Sequence, residues 1–352
     1  MRLRCTINEL ETLISTIGHE LTPIIQSEAG CGKTSLLKGI EKKYGDKYDY
    51  IYVDCPVKDM SDICMTIPNH DTKTLDNYVG SLFKLYSDKP KVILLDEFMK
   101  SPKLLQVIFT RLMLERTVGD IPLPEGSIVF GTSNNQADGL GDTMMAHAGN
   151  RVCIVEMEKP QVEDWLVWAT ENGVSPLIRA FVHTFPRCLA SYRDEGQEDN
   201  PYIFNPKKPV LSFVSPRSLE KASVIVSNRD KLGDNATMVA LAGTIGQSAS
   251  ADMSAFLRLE KELPTFDDIL KEPESTQVPE SISAQLMLMF QAVDKIKQQS
   301  DLTAFMKFVN RMASNEIQAI FFTMMMKNSR TVKIARGNKE IANWAVDNFN
   351  IM

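Results

Sequence analysis

The sequence lacks most of the features that would place it in a special class. Its six cysteines (Cys5, Cys31, Cys55, Cys64, Cys153 and Cys188) are scattered, with no CxxC pair and no zinc-like Cys/His spacing. Neither a disulfide scaffold nor a zinc module is therefore expected, and reduced thiols in the cytoplasm are. Histidine is scarce: His19, His70, His147 and His183 share no metal-like spacing. No run approaches the roughly 18 apolar residues needed to span a bilayer. The opening MRLRCTINELETLI lacks the basic cap and apolar core of a secretion signal. Basic residues are not in excess either. The net charge is -6, which gives no global attraction to nucleic acid or an anionic membrane, although a local basic lining can coexist with an acidic exterior.

What is present is an ordinary globular composition, 43% hydrophobic and 24% charged, on 352 residues. That length suits two or three packed units. The first third alternates between strand and helix patterns. Helices are expected at about Ile7–Gly18, Ser35–Gly45, Leu75–Tyr86 and Leu104–Leu114. Strands are expected at Thr22–Gln26, Tyr50–Asp54, Lys91–Leu95, Ser127–Gly131 and Val152–Glu156. The run KVILL is apolar throughout, as in a parallel strand buried on both faces. Alternation of this kind predicts an α/β fold, a parallel sheet sandwiched by helices.

From Pro160 the period becomes helical, at Gln161–Asn172, Pro176–Thr184, Pro216–Ser227 and Asn235–Leu259. The stretch 191–213, rich in Asp, Asn, Pro, Gly and aromatics, reads as an inserted loop, and EPESTQVPES at 272–281 as a linker. Three further helices follow at Ala284–Gln299, Leu302–Ser314 and Glu316–Lys327. The expected division is an α/β domain at 1–158, a helical lid at 159–270 and a helical extension at 271–352. The Trp165/Trp168 pair and the methionines Met287, Met289 and Met324–Met326 are expected to pack cores.

Chemistry concentrates at three points. In SEAGCGKTS a strand, a glycine-containing turn and a helix opening with Lys-Thr make a cradle for a triphosphate, built from Ala29, Gly30, Cys31, Gly32, Lys33, Thr34 and Ser35. Lys33 would reach the β- and γ-phosphates of ATP, and the Thr34 hydroxyl would bind Mg²⁺. Ser27 stands where the usual pattern has glycine. In VILLDE an apolar strand delivers two carboxylates to the sheet's C-terminal edge. Asp96 would hold Mg²⁺, and Glu97 would act as general base on water. In GTSNN, after a hairpin-like stretch, Thr132, Ser133, Asn134 and Asn135 would lie beside the acidic strand, where a polar group can orient water. Cys31 sits at a helix N-terminus, a setting that can lower a thiol pKa, though packing is the plainer role.

The order AGCGKTS, VILLDEF, LERTVGDIPLPEGSIVFGTSNN, GNRVCIVEMEKP and SPRS resembles AAA+ ATPases, in particular the MoxR-like, dynein-related and phage members, over roughly residues 1–260. The resemblance implies an ATPase ring, usually a hexamer, with ATP at subunit boundaries. It also implies that Asn134 is sensor 1, Arg151 the arginine finger and Arg217 sensor 2. A remodelled or assembled protein partner follows from the same resemblance. Neither candidate substrate loop, Lys58–Asn69 or Thr117–Gly126, holds the aromatic-hydrophobic-glycine signature of threading unfoldases. A nucleic-acid motor or loader is the second reading. It is weakened by the acidic total and by loops offering only Lys58 and, at an edge, Arg116. A non-hydrolysing nucleotide switch is the third, opposed by Glu97.

Overall fold

A computed structural model of the chain describes residues 3–134 and 151–348. Asn135 and His147 lie outside the described residues. The chain divides into two compact units, Met1–Pro160 and Gln161–Met352.

The first unit is built on a six-stranded sheet. Its strands in chain order are β1 (Arg4–Cys5), β2 (Pro23–Ser27), β3 (Asp49–Asp54), β6 (Lys91–Asp96), β9 (Ile128–Asn134) and β10 (Cys153–Met157), and across the sheet they lie β1-β10-β2-β9-β6-β3. All five pairings are parallel. The side-chain period of two explains why the strands are apolar on both faces. Ile25, Val92, Leu94, Ile128 and Phe130 turn to one side, against Leu10 and Ile14 of α1 (Ile7–Ile17) and Leu36, Leu37 and Ile40 of α2 (Ser35–Tyr44). Ile24, Ile51, Val53, Ile93, Leu95 and Val129 turn to the other, against Leu105, Phe109, Leu112 and Met113 of α4 (Lys103–Glu115). The α/β sandwich read from the sequence is the observed fold.

Two small hairpins are appended to this sheet. β7 (Thr117–Val118) pairs with β8 (Ile121–Pro122), as the turn chemistry before the buried strand suggested. The other corrects an expectation. The segment 75–86 is not a helix: a short α3 (Met60–Ile63) leads into β4 (Cys64–Asn69), which pairs antiparallel with β5 (Thr74–Val79). The Asn69 side chain accepts from the amides of Asp71 and Thr72, and Lys73 takes a left-handed φ of 57°, so the turn is closed locally. At the far end Gly80 passes so close to the Asp62 carbonyl that a Cβ would lie 1.9 Å from its oxygen, a crossing that only glycine permits.

The second unit is helical. Its first core gathers Trp165 of α5 (Val162–Glu171), Phe181 of α6 (Pro176–Thr184), Leu219 of α7 (Pro216–Ser227), Leu241 of α8 (Arg229–Ile245) and Met253 of α9 (Gln247–Glu260). The expected single helix 235–259 is broken at Gly246. That residue has φ 85° and stands where a Cβ would lie 2.8 Å from the Ser212 carbonyl oxygen. The stretch 191–213 holds no helix or strand, yet Tyr202 and Ile203 within it are buried in this core. A second core forms around α10 (Phe266–Lys271), α11 (Ile282–Lys295), α12 (Gln299–Val309), α13 (Asn315–Lys327), α14 (Val332–Arg336) and α15 (Lys339–Asp347). α11 serves both cores, giving Met287 and Phe290 to the first and Leu288 and Met289 to the second. Among the described residues no helix is long and apolar enough to cross a membrane.

Candidate active site at the end of the parallel sheet

Alternation along the strands selects which polar groups meet. Tyr52, Asp96, Thr132 and Asn134 have the same parity as the residues packed against α2, so all four emerge on the α2 face at the strands' C-terminal ends. The β2–α2 turn closes over this edge. Gly30 (φ 77°) and Gly32 (φ 93°) hold left-handed backbone there, which residues with a Cβ avoid. The Ser35 amide donates to the Gly32 carbonyl at 2.9 Å and starts the helix. α2 therefore presents its positive end at the turn.

Lys33 is buried and points along the turn. Its Nζ donates to Asn134 Oδ1 at 2.7 Å and to the carbonyls of Ser27 (3.2 Å) and Glu28 (3.4 Å). Asn134 Nδ2 in turn donates to Glu97 Oε1 at 3.1 Å. This contact depends on a backbone irregularity. Strand parity alone would send Glu97 to the α4 side, but its left-handed φ of 49° turns the chain and brings the carboxylate to Asn134. The Glu97 amide donates to Thr132 Oγ1 at 3.2 Å, and the other carboxylate oxygen, Oε2, accepts from Lys100 Nζ at 2.7 Å.

Asp96 is surrounded by hydroxyls. Thr34 Oγ1 lies 3.4 Å from Oδ2, Tyr52 OH donates to the same oxygen at 2.9 Å, and Thr132 Oγ1 donates to Oδ1. Thr34 and Asp96 together offer a hydroxyl and a carboxylate, hard oxygen donors of the kind Mg²⁺ takes while keeping several waters. A glycine-built turn at a helix N-terminus with a buried lysine suits a polyphosphate.

Of the residues expected at the site, Ala29, Gly30, Cys31, Gly32, Lys33, Thr34 and Ser35 form the turn and helix start, and Asp96, Glu97 and Asn134 converge on it. Arg151 is exposed immediately before β10 in the same unit. Arg217 is exposed in the first turn of α7 in the second unit. Cys31 is buried, and burial pushes its thiol up to about 11, so the suggestion of a lowered thiol pKa is overturned and Cys31 is a packing residue. Arg116 also changes role. Its guanidinium is consumed by the carbonyls of Gly18, His19 and Met113 and by the Thr22 hydroxyl, which ties α4 to the end of α1 and the start of β2.

The sequence reading missed three groups. Tyr52 and Lys100 touch the two carboxylates directly. Lys159 forms a buried ion pair with Glu28 at 2.9 Å, which fixes the second residue of the phosphate turn to the chain just beyond β10. Nothing local marks Tyr52, whose place beside Asp96 depends on the β3–β6 register, whereas i,i+3 spacing could have found Lys100.

Residues 24–117 match the model of the viral superfamily 1 RNA helicase core domain, a stretch running from the phosphate-turn strand to β7. No curated protein matches the chain. Solved structures that match the chain include a candidate ATPase from Cytophaga hutchinsonii, at 17% identity and a TM-score of 0.34, covering 71% of this chain and 88% of that one. They also include the RuvB Holliday junction branch migration motor of Thermotoga maritima, at 16% identity and a TM-score of 0.35, covering 76% and 75%. NtrX from Brucella abortus in complex with ADP is a third, at 13% identity and a TM-score of 0.34, covering 97% and 68%. The first unit is a parallel α/β sheet with a glycine-built phosphate turn, and the helicase-core match lies within it. The sheet order itself places β9, with its polar C-terminal end, between the phosphate-turn strand and the acidic strand.

Proposed function

We propose that this chain hydrolyses ATP as a ring-forming, MoxR-like AAA+ protein and uses the cycle to remodel or assemble a protein partner. The observation that carries the ATPase reading is the bridge Lys33–Asn134–Glu97, in which one amide touches both the phosphate-binding cation and the base. When ATP enters the turn, Lys33 exchanges its protein acceptors for phosphate oxygens, and Asn134 is released to orient water against Glu97. Glu97 then accepts the proton of that water. Thr34 and Asp96 would hold the Mg²⁺ of MgATP, which would supply neutralisation of phosphate charge there. Arg151 and Arg217 are both exposed, as side chains must be if they are to reach phosphate from a neighbouring subunit or from a mobile lid.

Support for a protein client comes from the β4–β5 hairpin. One face rests on the β7–β8 turn, through Cys64 beside Gly119 and a hydrogen bond from Asn77 to Asp120. Register places Met65, Ile67 and Tyr78 together on the opposite face, and all three are exposed. An apolar grip suits polypeptide better than phosphodiester. The second reading, a nucleic-acid motor, is favoured by the helicase-core match at residues 24–117. It is opposed by the full engagement of Arg116, a principal cation of the candidate loops.

Sedimentation and ATPase rate, measured with and without ATP for wild type, Glu97→Gln and Arg151→Ala, test this reading. The expected result is that Glu97→Gln traps an ATP-dependent oligomer. Arg151→Ala should keep ATP binding and lose about 10³-fold in turnover. A monomer that hydrolyses ATP at the same rate whatever stands at 151 overturns the ring. Strong stimulation by single-stranded RNA would transfer the assignment to the nucleic-acid reading.

A further inference from the structure

Tyr52 stands on β3, the edge strand of the six-stranded sheet, with its ring well exposed at 41%. Packing does not account for it. A tyrosine on an edge strand with a half-solvated ring contributes little core, and phenylalanine or a polar residue would serve β3 as well. The polar end of the side chain, however, is committed. Its hydroxyl donates at 2.9 Å to Asp96 Oδ2, the same oxygen that Thr34 Oγ1 approaches to 3.4 Å.

Three hydroxyls from three different elements therefore surround one carboxylate, and they are not equivalent. Thr132 takes the other oxygen, Oδ1, and also receives the Glu97 amide, so it ties the acidic pair to β9. Thr34 belongs to the helix start and is the hydroxyl that a divalent cation would claim. Among the described residues, Tyr52 is then the group outside the phosphate turn that hydrogen-bonds Oδ2. A carboxylate oxygen has two lone pairs; with one held by the phenol, the other is left facing Thr34.

The local charge also requires a donor at this place. Asp54 is the register partner of Asp96 and shares its face, and Glu97 follows immediately, so three carboxylates crowd the ends of β3 and β6. Thr132 on Oδ1 and Tyr52 on Oδ2 hold the Asp96 carboxylate against this crowding, and the Tyr52 bond is the one that orients Oδ2. An ordinary phenol is protonated at neutral pH, so the hydroxyl acts as a donor to the carboxylate.

We propose that Tyr52 is a positioning residue of the metal site, holding Asp96 in the rotamer that turns its Oδ2 toward Thr34 and so presetting the place of the divalent cation of MgATP. The inference rests on the nucleotide-binding reading above and deepens it. Partners of this kind around metal-binding carboxylates change metal affinity by about 10–100-fold when removed.

The test is calorimetric binding of ATPγS to the full chain in excess EDTA and in excess Mg²⁺, for wild type and Tyr52→Phe, with thermal melts of both. Wild type should bind more tightly with Mg²⁺. Tyr52→Phe should lose about tenfold or more of that Mg²⁺-dependent gain, bind in EDTA as wild type does, and melt at the same temperature. A Tyr52→Phe variant that keeps the full gain overturns the inference and leaves the nucleotide site standing. So does one whose affinity falls equally in EDTA and Mg²⁺, because that marks a general packing role. A wild type that binds no ATPγS in either condition overturns the nucleotide reading itself.

Discussion

Lys33 and Asn134 are 101 positions apart in sequence, yet the ammonium donates to the amide oxygen at 2.7 Å inside a buried site. The contact exists because β9 is inserted between β2 and β6, so the strand that follows the acidic strand in the chain lies next to the phosphate turn in space. Asn134 faces Ser27 across the β2–β9 ladder, and its amide nitrogen donates to Glu97. A neutral side chain that both accepts from a cation and donates to a carboxylate can register the departure of either.

Replacing that amide gives the first prediction. Asn134→Ala should lower kcat for ATP by about 10²–10³-fold, the usual cost of removing one preorganised donor, while ATP affinity changes little. Lys33 keeps the Ser27 and Glu28 carbonyls in the variant, so the turn is not expected to collapse. Steady-state kinetics combined with equilibrium binding of a slowly hydrolysed analogue would read the two effects apart. A parallel loss of affinity and kcat would instead make Asn134 a scaffold for the turn.

The phosphate turn makes a backbone prediction. Gly32 holds φ 93°, and a Cβ there would lie 3.2 Å from Ser35 Oγ. Gly32→Ala should destabilise the first unit by about 1–3 kcal/mol and abolish tight ATP binding, because relief of the strain turns amides away from the cradle. Gly126 provides the control. It has φ 79° with nothing near its Cβ position, so Gly126→Ala should cost stability of the same order and leave ATP binding intact. Urea melts with and without ATPγS distinguish the two.

How much of this was legible in the sequence depends on whether the deciding force was local. Lys33, Thr34, Asp96 and Glu97 were readable because a short turn and a strand end dictate their surroundings within a few residues. Asn134 was singled out from its polar neighbours by the resemblance to AAA+ ATPases, not by anything local. Tyr52 was not read, since nothing within β3 shows that its neighbour in the sheet ends in Asp96; only register reveals it. The β5 segment misled for a physical reason. Leu75, Tyr78, Val79, Leu82, Phe83 and Tyr86 repeat at helical spacing, but Asp76–Asn77 and Gly80 favour other conformations, and pairing with β4 decided the outcome. Likewise α8 and α9 read as one helix because the Ser212 carbonyl that requires glycine at 246 comes from a distant segment.

Arg116 is expected to matter for folding rather than for recognition. Its left-handed φ of 54° ends α4, and its guanidinium serves three carbonyls and one hydroxyl. Burial lowers its pKa, so these acceptors offset a real desolvation cost. Arg116→Ala takes a donor from the His19 carbonyl, while the Gly18 and Met113 carbonyls keep the Val129 amide and the Thr22 hydroxyl, and should destabilise by about 1–3 kcal/mol. Arg116→Lys should recover only part of that, because an ammonium lacks the planar fork. If the position instead bound nucleic acid, both variants would melt like wild type and lose RNA binding, an outcome that thermal melts and filter binding would expose.

Cys31 supplies a pH prediction whose sign is fixed by burial. Its thiol is neutral when protonated, and desolvation raises its pKa from the 9.0 of an unfolded chain to about 11 in the fold. Between those values the unfolded chain has released a proton that the folded one retains. The stabilisation is therefore complete below pH 9 and is lost as pH rises through about 11. Two units correspond to about 2–3 kcal/mol at most. Cys55 and Cys188 are also buried with raised thiol pKa values, so wild type should lose more than this over the same range. Subtracting the urea-melt profile of Cys31→Ala isolates the single group: the variant should be less stable than wild type near pH 8, and the gap should close as pH approaches 11. The same burial predicts that iodoacetamide modifies Cys31 only on unfolding. Rapid alkylation at neutral pH with a gap independent of pH would return Cys31 to the role of a reactive thiol at the phosphate turn.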